Sequence, residues 1–243
     1  MRPFLDILIP VYNEGESVLR VLGFLVRDVK IPFRVLFCYD VDTDSTIRAV
    51  KNSSGFPMDI QWIKNQGHGV HGAIMSGFHA STAAAVLVYP ADDDANTGIV
   101  NSLWEQFEKG SDIVAPSRFM RGGCMKGCRW TKALLVRASA FTLHYLAGVP
   151  THDPSNGFRL FSRRVIDNIP VESTDGFAYS IELLVKCDRR GWKITEIPSQ
   201  WFERKKGKSR FKIMKWLPVY LQWYFYAFVT PFIGRGKSAA NGR

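Results

Sequence analysis

Short apolar runs alternate with longer segments of helical periodicity along the first half of the chain. Runs rich in β-branched residues predict strands, and apolar residues repeating every three or four positions predict helices. The predicted strands cover residues 4–9, 33–39, 59–63, 85–89 and 112–115. The predicted helices cover residues 15–28, 43–52, 69–83 and 97–109. We therefore expect an α/β fold with a Rossmann-like, mostly parallel sheet flanked by helices.

Polar residues follow each of the first four predicted strands. In open sheets of this kind, ligands bind beyond the carboxyl ends of the strands. Four loops are therefore expected to converge at one edge of the sheet. The polar residues in these loops are Asn13, Glu14, Asp40, Asp42, Asn65, Asp92, Asp93 and Asp94.

The three adjacent carboxylates, Asp92 to Asp94, are the strongest candidate for metal chemistry. Their mutual repulsion is relieved by a cation or by solvent. In an extended segment, Asp92 and Asp94 would point one way and Asp93 the other. Such a pair suits one Mg²⁺ or Mn²⁺ ion, with positions left for a diphosphate. The alternative is a solvated loop in which Asp94 caps the helix beginning near Thr97.

The composition indicates the sign of the charge that binding partners carry. The chain has 243 residues, 46% of them hydrophobic, and a formal net charge of +10. This charge predicts attraction to nucleic acid, an anionic membrane or phosphorylated substrates. Four cysteines without a secreted-scaffold pattern, and an N-terminal apolar run too short for a signal peptide, favour the cytosol.

The loop motifs resemble glycosyltransferase family 2 of the GT-A fold, specifically the polyprenyl-phosphate glycosyltransferases of the dolichol-phosphate mannose synthase type. The matching segments are 9–14 (Ile-Pro-Val-Tyr-Asn-Glu), 40–46, 65–67 and the Asp cluster. The resemblance implies a nucleotide-sugar donor and a divalent metal. By the same resemblance, the donor residues are Pro10, Tyr12, Glu14, Asp40 and Asp92, and the metal ligands are Asp92 and Asp94. The chain departs from the family at Tyr39 and Pro90, where the first carboxylate of each usual pair is missing.

The second half carries basic residues with family counterparts, so the resemblance extends over about residues 4–215. It implies that acceptor or donor phosphates are bound by Arg118, Lys132, Arg137, Arg204, Ser209 and Arg210. It assigns supporting roles to Asp153, Asn156, Arg159 and Glu182, and catalysis to Asp94, Arg118 and Arg204. Three alternatives stay open: residues 204–210 form a solvated basic loop, Asp153 and Asn156 build a turn, and Glu182 acts as a base or orients an arginine.

The expected reaction transfers a hexose from GDP-mannose or UDP-glucose to a polyprenyl phosphate. The acceptor phosphate has a second pKa of roughly 6, so it attacks without a protein base and inverts the anomeric configuration. A rival within the family uses a saccharide or other hydroxyl acceptor. A rival from another class is a nucleotide- or nucleic-acid-binding protein, but no stacking pattern for nucleic acid supports it.

Residues 216–233 form an uncharged, aromatic-rich segment with basic residues on both sides. Tyr and Trp throughout the segment favour a helix lying on the cytosolic membrane surface, with a membrane span or a core helix as alternatives. We therefore expect a glycosyltransferase domain at 1–210, with a nucleotide half at 1–115 and an acceptor half at 116–210. A membrane-interfacial segment is expected at 211–243.

Overall fold

The computed structural model describes residues 5–53, 55–203 and 213–230. The strands are β1 (Leu5–Val11), β2 (Phe33–Tyr39), β3 (Asp59–Lys64), β4 (Ala85–Val88), β5 (Ile113–Ser117), β6 (Cys124–Lys126), β7 (Arg159–Ser162), β8 (Ile194–Pro198) and β9 (Gln200–Phe202). The helices are α1 (Ser17–Asp28), α2 (Ser45–Asn52), α3 (Gly69–Ala80), α4 (Val100–Glu108), α5 (Trp130–Phe141), α6 (Arg163–Asn168), α7 (Ala178–Arg189) and α8 (Ile213–Val229). A 3-10 turn precedes α4, and the π-helical turn Thr142–Leu146 continues α5.

A seven-stranded sheet with the order β3-β2-β1-β4-β7-β5-β8 organises the fold. Strands β3, β2, β1 and β4 are parallel to one another, and β7 is antiparallel to both β4 and β5. Because two antiparallel steps cancel, β5 and its parallel neighbour β8 run in the same direction as β4. The predicted mostly parallel sheet is confirmed. The loops after β1, β2, β3, β4 and β5 all leave the same edge.

Each face of the sheet is covered by helices. On one face, Ile7 and Ile9 of β1 pack with the buried Leu22 of α1, and on the other face Leu8 packs with Ile74 of α3. Burying a side chain of this kind stabilises the fold by about 1.5–3 kcal/mol. Gly77 allows α3 to approach β1 closely, since a Cβ there would lie 2.3 Å from Leu8 Cδ1. The sheet therefore holds the site edge on a rigid, two-sided core.

The C-terminal helix α8 packs one face against the domain. Trp223 and Ala227 are buried, and the Lys186 ammonium of α7 lies 4.9 Å from the Trp223 ring centroid. The core-helix alternative therefore holds for this face. On another face Leu221, Phe225 and Val229, spaced by four residues, are exposed.

Among the residues that the structure describes, no helix has the length and apolar character needed to cross a membrane. The predicted domain boundary at residue 210 lies outside these residues.

Candidate active site

Hydrogen bonds tie together the loops that follow β1, β2 and β3. The backbone N–H of Asn13 donates to Asp44 at 2.9 Å, and Asn13 accepts from the Ser45 N–H at 3.1 Å. Asn13 has a φ of 55°, a left-handed conformation that asparagine adopts more readily than most residues. The Asn65 amide donates to Asp40 at 2.5 Å. These contacts hold three loop ends in one polar rim.

The residues predicted to bind the donor lie on this rim. Pro10 is paired with Cys38 near the end of β1, and Tyr12 exposes 49% of its surface just beyond it. The backbone N–H of Glu14 donates to Thr46 Oγ1 at 3.0 Å. The structure thus brings Pro10, Tyr12, Glu14 and Asp40 to the carboxyl ends of β1 and β2, and their role in donor binding stays a prediction.

The carboxylate cluster has a different local structure from the one expected. Strand β4 ends at Val88 and the chain then turns, so the alternation expected for an extended segment is wrong. Asp93 accepts the backbone N–H groups of Ala95 and Asn96, both at 3.1 Å, and the Asn96 side chain at 2.6 Å. The capping carboxylate at this turn is therefore Asp93, and the alternative in which Asp94 is the cap is wrong. Burial raises the pKa of Asp93 to about 6, although its hydrogen bonds oppose the rise.

The other two carboxylates of the cluster remain accessible. Asp92 is exposed, and Asp94 forms a 2.9 Å ion pair with Arg20 of α1. The Arg20 side chain is 68% exposed, so this pair is weak and exchangeable. Within the described ranges, no three His, Cys, Asp or Glu side chains converge in a metal site. Two carboxylates still fit Mg²⁺ or Mn²⁺, since such ions often take one or two protein carboxylates together with substrate phosphates.

Arg118 begins the acceptor side, immediately after β5. Its guanidinium donates two hydrogen bonds to the fully buried Asp153, at 2.6 and 2.7 Å, and its backbone N–H donates a third at 3.0 Å. Burial lowers the pKa of Arg118, but the charge and hydrogen bonds of Asp153 outweigh it, so the pKa is raised overall. The cation is therefore fixed at the same sheet edge as the carboxylate cluster.

Two further predicted residues, Asn156 and Arg159, stabilise the loop that carries Asp153. The Asn156 amide donates to the Pro116 carbonyl at 2.9 Å, which ties the loop to β5. Arg159 is completely buried and donates to the carbonyls of Asp153 and Pro154 at 3.1 and 3.3 Å. Burial lowers the pKa of Arg159 to about 10. Both side chains contact backbone and shape the loop that carries Asp153.

A cavity of about 400 Å³ opens beside Arg118. Arg118 and Arg137 both line it, and their guanidinium carbons lie 5.2 and 5.6 Å from the centroid of the same Phe119 ring. Lys132 does not line it; its ammonium lies 5.5 Å from the Trp201 ring centroid. The lining residues are Arg118, Phe119, Met120, Gly123, Arg137, Ala140, Phe141, His144, Tyr145 and His152.

Glu182 has other partners than those expected. It is fully buried in α7, forms a 2.6 Å ion pair with Lys186, and accepts the backbone N–H groups of Glu172 and Ser173. The expectation that it orients an arginine is wrong, because its cationic partner is a lysine. The predicted residues Arg204, Ser209 and Arg210 lie outside the described residues.

Sequence reasoning missed two features of the acceptor side. His144 and His152 line the cavity, although no spacing in the sequence connects them. The second feature is the exposed apolar face of α5 and its π-helical turn. Its spacing of about four residues, beside basic residues, is a signal that helical periodicity can reveal. Its members are Trp130, Leu134, Leu135, Phe141, Tyr145 and Leu146.

Residues 6–170 match glycosyl transferase family 2. The chain belongs to this family. It is 24% identical over 227 residues to the polyprenol monophosphomannose synthase of Mycolicibacterium smegmatis, covering 86% of this chain and 85% of that one. It is 23% identical over 213 residues to the dolichol-phosphate mannosyltransferase of Pyrococcus furiosus, covering 85% of this chain and 59% of that relative. The predicted resemblance to the dolichol-phosphate mannose synthase type is confirmed.

The fold also matches solved structures of glucosyl-3-phosphoglycerate synthase from Mycobacterium tuberculosis. The complex with UDP has a TM-score of 0.68 at 17% identity and covers 93% of this chain and 80% of that one. A second complex, with Mn²⁺, UDP-glucose and phosphoglyceric acid, has a TM-score of 0.66 at 16% identity and covers 94% and 79%. At this identity the match concerns the fold, and the predicted GT-A type is confirmed. The chain is a glycosyltransferase.

Proposed function

We propose that this glycosyltransferase moves a hexose from a nucleotide-diphosphate sugar, of the GDP-mannose or UDP-glucose type, to a polyprenyl phosphate. The names of two relatives, polyprenol monophosphomannose synthase and dolichol-phosphate mannosyltransferase, support this substrate class. The proposal is tied to this chain by its own cavity, which combines cationic and apolar walls.

The mixed lining of the cavity is the observation that carries the proposal. Arg118 and Arg137 provide guanidinium groups, which suit the oxygens of a phosphate. Phe141 and Tyr145, whose ring centroids lie 4.7 Å apart, line the same cavity and are also exposed. A phosphate joined to an isoprenoid chain has both characters, so its head faces the arginines and its chain leaves over the aromatic rings.

The donor is assigned to the opposite end of the same sheet edge. Pro10, Tyr12, Glu14 and Asp40 are proposed to hold the nucleoside, and Asp92 and Asp94 to hold the diphosphate through Mg²⁺ or Mn²⁺. When bound, the ion supplies positive charge that offsets the charge on the diphosphate. Before the ion binds, Arg20 pairs with Asp94. Breaking this pair costs little free energy, because the pair is exposed.

The reaction needs positioning more than proton transfer. An oxygen of the acceptor phosphate forms a bond to the anomeric carbon while the bond from that carbon to the diphosphate oxygen breaks. The nucleoside diphosphate leaves with the electron pair, and the anomeric configuration is inverted. Arg118, held by Asp153, orients the acceptor and offsets the repulsion between two phosphates brought together. Arg204, Ser209 and Arg210 are proposed to complete this phosphate site.

The surface around the cavity supports docking at an anionic membrane, and we propose that this is the cytosolic side. Ten of the thirteen exposed large hydrophobic side chains in the described part of the chain lie on α5, its π-helical turn and α8. A 2.8 Å hydrogen bond between Thr142 and Tyr224 joins these elements. The basic residues Arg129 and Arg137 are exposed on the same helical segment or at its start. This combination suits peripheral binding to anionic lipid.

The experiment that tests the proposal offers the purified chain a panel of nucleotide sugars and a short polyprenyl phosphate, with Mg²⁺ or Mn²⁺ present. A glycolipid product with inverted configuration, detected by mass spectrometry and NMR, is the expected result. A parallel arm offers 3-phosphoglycerate and simple saccharides. Product only in that arm would reject the lipid acceptor and leave a hydroxyl acceptor in its place.

A further inference from the structure

His144 and His152 lie against each other in the wall of the cavity. Their ring centroids are 4.0 Å apart with an interplanar angle of 34°. His144 comes from the π-helical turn after α5, and His152 comes from the loop that also carries Asp153. Both rings are half-buried and both line the cavity beside Arg118 and Arg137. The proposed mechanism assigns no role to either ring.

Hydrogen bonds fix which nitrogen of each ring is available. His144 Nδ1 lies 2.8 Å from the Val149 carbonyl oxygen, and His152 Nδ1 lies 2.5 Å from Glu196 Oε1. A carbonyl and a carboxylate only accept hydrogen bonds, so both Nδ1 atoms carry the proton. Within the described residues, neither Nε2 atom has a hydrogen-bonding partner. Nε2 is therefore the nitrogen of each ring left for a ligand in the cavity.

Glu196 holds His152 firmly in this orientation. Its second carboxylate oxygen accepts the backbone N–H of His152 at 2.8 Å and the Thr151 hydroxyl at 3.0 Å. Glu196 lies in β8, so the ring is anchored to the central sheet. The arrangement keeps Nε2 of His152 directed away from Glu196 and available to a ligand.

The charges around the pair limit when it takes up a proton. Arg118 and Arg137 line the same cavity and oppose a further positive charge, whereas Glu196 favours one. Tyr145 contacts His144 edge-on, with centroids 4.6 Å apart, and contributes no charge while its hydroxyl stays protonated. Two imidazolium rings at this separation repel each other, so the pair is suited to a single proton.

We infer that the Nε2 atoms of His144 and His152 bind the phosphate monoester of the acceptor and that the pair takes up one proton when it binds. In the neutral pair, both Nε2 atoms present lone pairs, which repel phosphate oxygens. One added proton turns an Nε2 into an N–H donor with positive charge, which binds a phosphate oxygen well. This inference rests on the proposed function for the acceptor's phosphate, but it does not depend on turnover.

The test follows the histidine C–H resonances of the full-length chain by ¹H–¹³C NMR between pH 5.5 and 8, with and without octyl phosphate. We expect the ring signals of His144 and His152 to move when octyl phosphate binds, and at least one ring to gain a proton at a pH where the free protein lacks it. The exposed His68 and His79 serve as internal controls and should not respond. Absence of any response at His144 and His152 under saturating octyl phosphate, or absence of binding, overturns the inference.

A variant separates recognition from a structural effect. His152→Gln keeps a hydrogen-bond donor for Glu196 but cannot become charged. We expect its Kd for octyl phosphate to rise about tenfold at pH 6 and to depend less on pH than the Kd of the wild type, while His79→Gln matches the wild type. Unchanged affinity with an unchanged pH profile would overturn the inference. If His152→Gln fails to fold, the wild-type titration still decides.

Two probes distinguish the possible sources of the phosphate. Octyl phosphate and glycerol 3-phosphate carry the same phosphate monoester, but only the first has an apolar chain for Phe141 and Tyr145. Tighter binding of octyl phosphate supports a lipid acceptor. Equal ring responses with both probes, combined with no transfer to any polyprenyl phosphate, would keep the histidine site and reject the proposed function.

Discussion

The Asp153 carboxylate holds the Arg118 guanidinium through two hydrogen bonds of 2.6 and 2.7 Å. Asp153 is fully buried and the Arg118 side chain is 14% exposed, so neither charge is well solvated without the other. Removing one partner of a buried pair is costly because the remaining charge is left without compensation. The same contact fixes the cation that we assign to the acceptor phosphate.

Asp153→Asn therefore changes both stability and acceptor use. We expect the free energy of unfolding to fall by about 3 kcal/mol. The KM for polyprenyl phosphate should rise, while the Kd for the nucleotide sugar changes little. Urea unfolding and steady-state kinetics measure the two effects. Asp167→Asn is the matched control, since its 3.5 Å pair with Arg163 is more exposed and should contribute less than 1 kcal/mol. Equal losses for donor and acceptor would argue against an acceptor role.

Metal use is tested at Asp94. Asp94→Ala should lower kcat about 100-fold or more with Mg²⁺ or Mn²⁺ present, because the ion that would offset the charge of the leaving diphosphate loses a ligand. Circular dichroism should show an intact fold, since Asp94 lies in an accessible turn. The exposed Glu108→Ala is the control. Near-normal turnover of Asp94→Ala would reject the metal assignment.

Arg20 gives a second measurement on the same site. Its ion pair with Asp94 has to open before Asp94 binds a metal, and an exposed pair is worth at most about 1 kcal/mol. Arg20→Gln should therefore tighten Mn²⁺ binding, measured by calorimetry with the nucleotide present, by up to about fivefold. Weaker binding in this variant would mean that Arg20 itself contacts the donor.

How far the sequence predicts the structure differs between the two halves of the site. Strand β2 was predicted within its observed bounds, because a local apolar run between polar loops determines it. The cap considered for Asp94 belongs to Asp93, because the chain turns where an extended segment was expected. The pairing of His152 with Glu196 was not predictable, since these residues lie 44 positions apart and meet only through the sheet.

The raised pKa of Asp93 predicts a specific dependence of stability on pH. A carboxyl with a pKa of about 6 in the folded state and an ordinary value near 3.9 when unfolded binds its proton more tightly when folded. Its contribution to stability is therefore present at low pH and is lost as pH rises through 6. Between pH 5 and 7 this loss amounts to about 1 kcal/mol.

Asp93→Asn removes this titration. The difference in unfolding free energy between wild type and Asp93→Asn should fall by about 1 kcal/mol from pH 5 to pH 7, measured by urea unfolding at closely spaced pH values. The variant's absolute stability also changes, because Asp93 accepts three hydrogen bonds from Ala95 and Asn96. Only the slope with pH tests the prediction, and a slope of zero or of opposite sign contradicts it.

Arg137 tests the cationic wall of the cavity. Arg137→Gln should raise the KM for polyprenyl phosphate about tenfold and leave the Kd for the nucleotide sugar unchanged, because one charged contact to the acceptor phosphate is lost. Lys51→Gln is the control. Lys51 lies in the last turn of α2, which runs back to the opposite edge of the sheet. An equal effect of both substitutions would indicate only a response to net charge.

The exposed apolar face of α5 predicts where the chain meets a membrane. Leu134 and Leu135 are 61% and 69% exposed, so charged side chains there should leave the fold intact. The double substitution Leu134→Glu, Leu135→Glu should reduce binding to vesicles of equal parts phosphatidylcholine and phosphatidylglycerol about tenfold or more, since it removes inserted apolar surface and adds repulsion. Vesicle sedimentation measures this, with Val41→Glu as control because Val41 is an exposed apolar residue outside this face.

Transfer to a short, water-soluble acceptor phosphate should stay near normal in the double variant. Unchanged sedimentation would place the docking surface elsewhere, and a loss caused equally by Val41→Glu would reduce the effect to net charge.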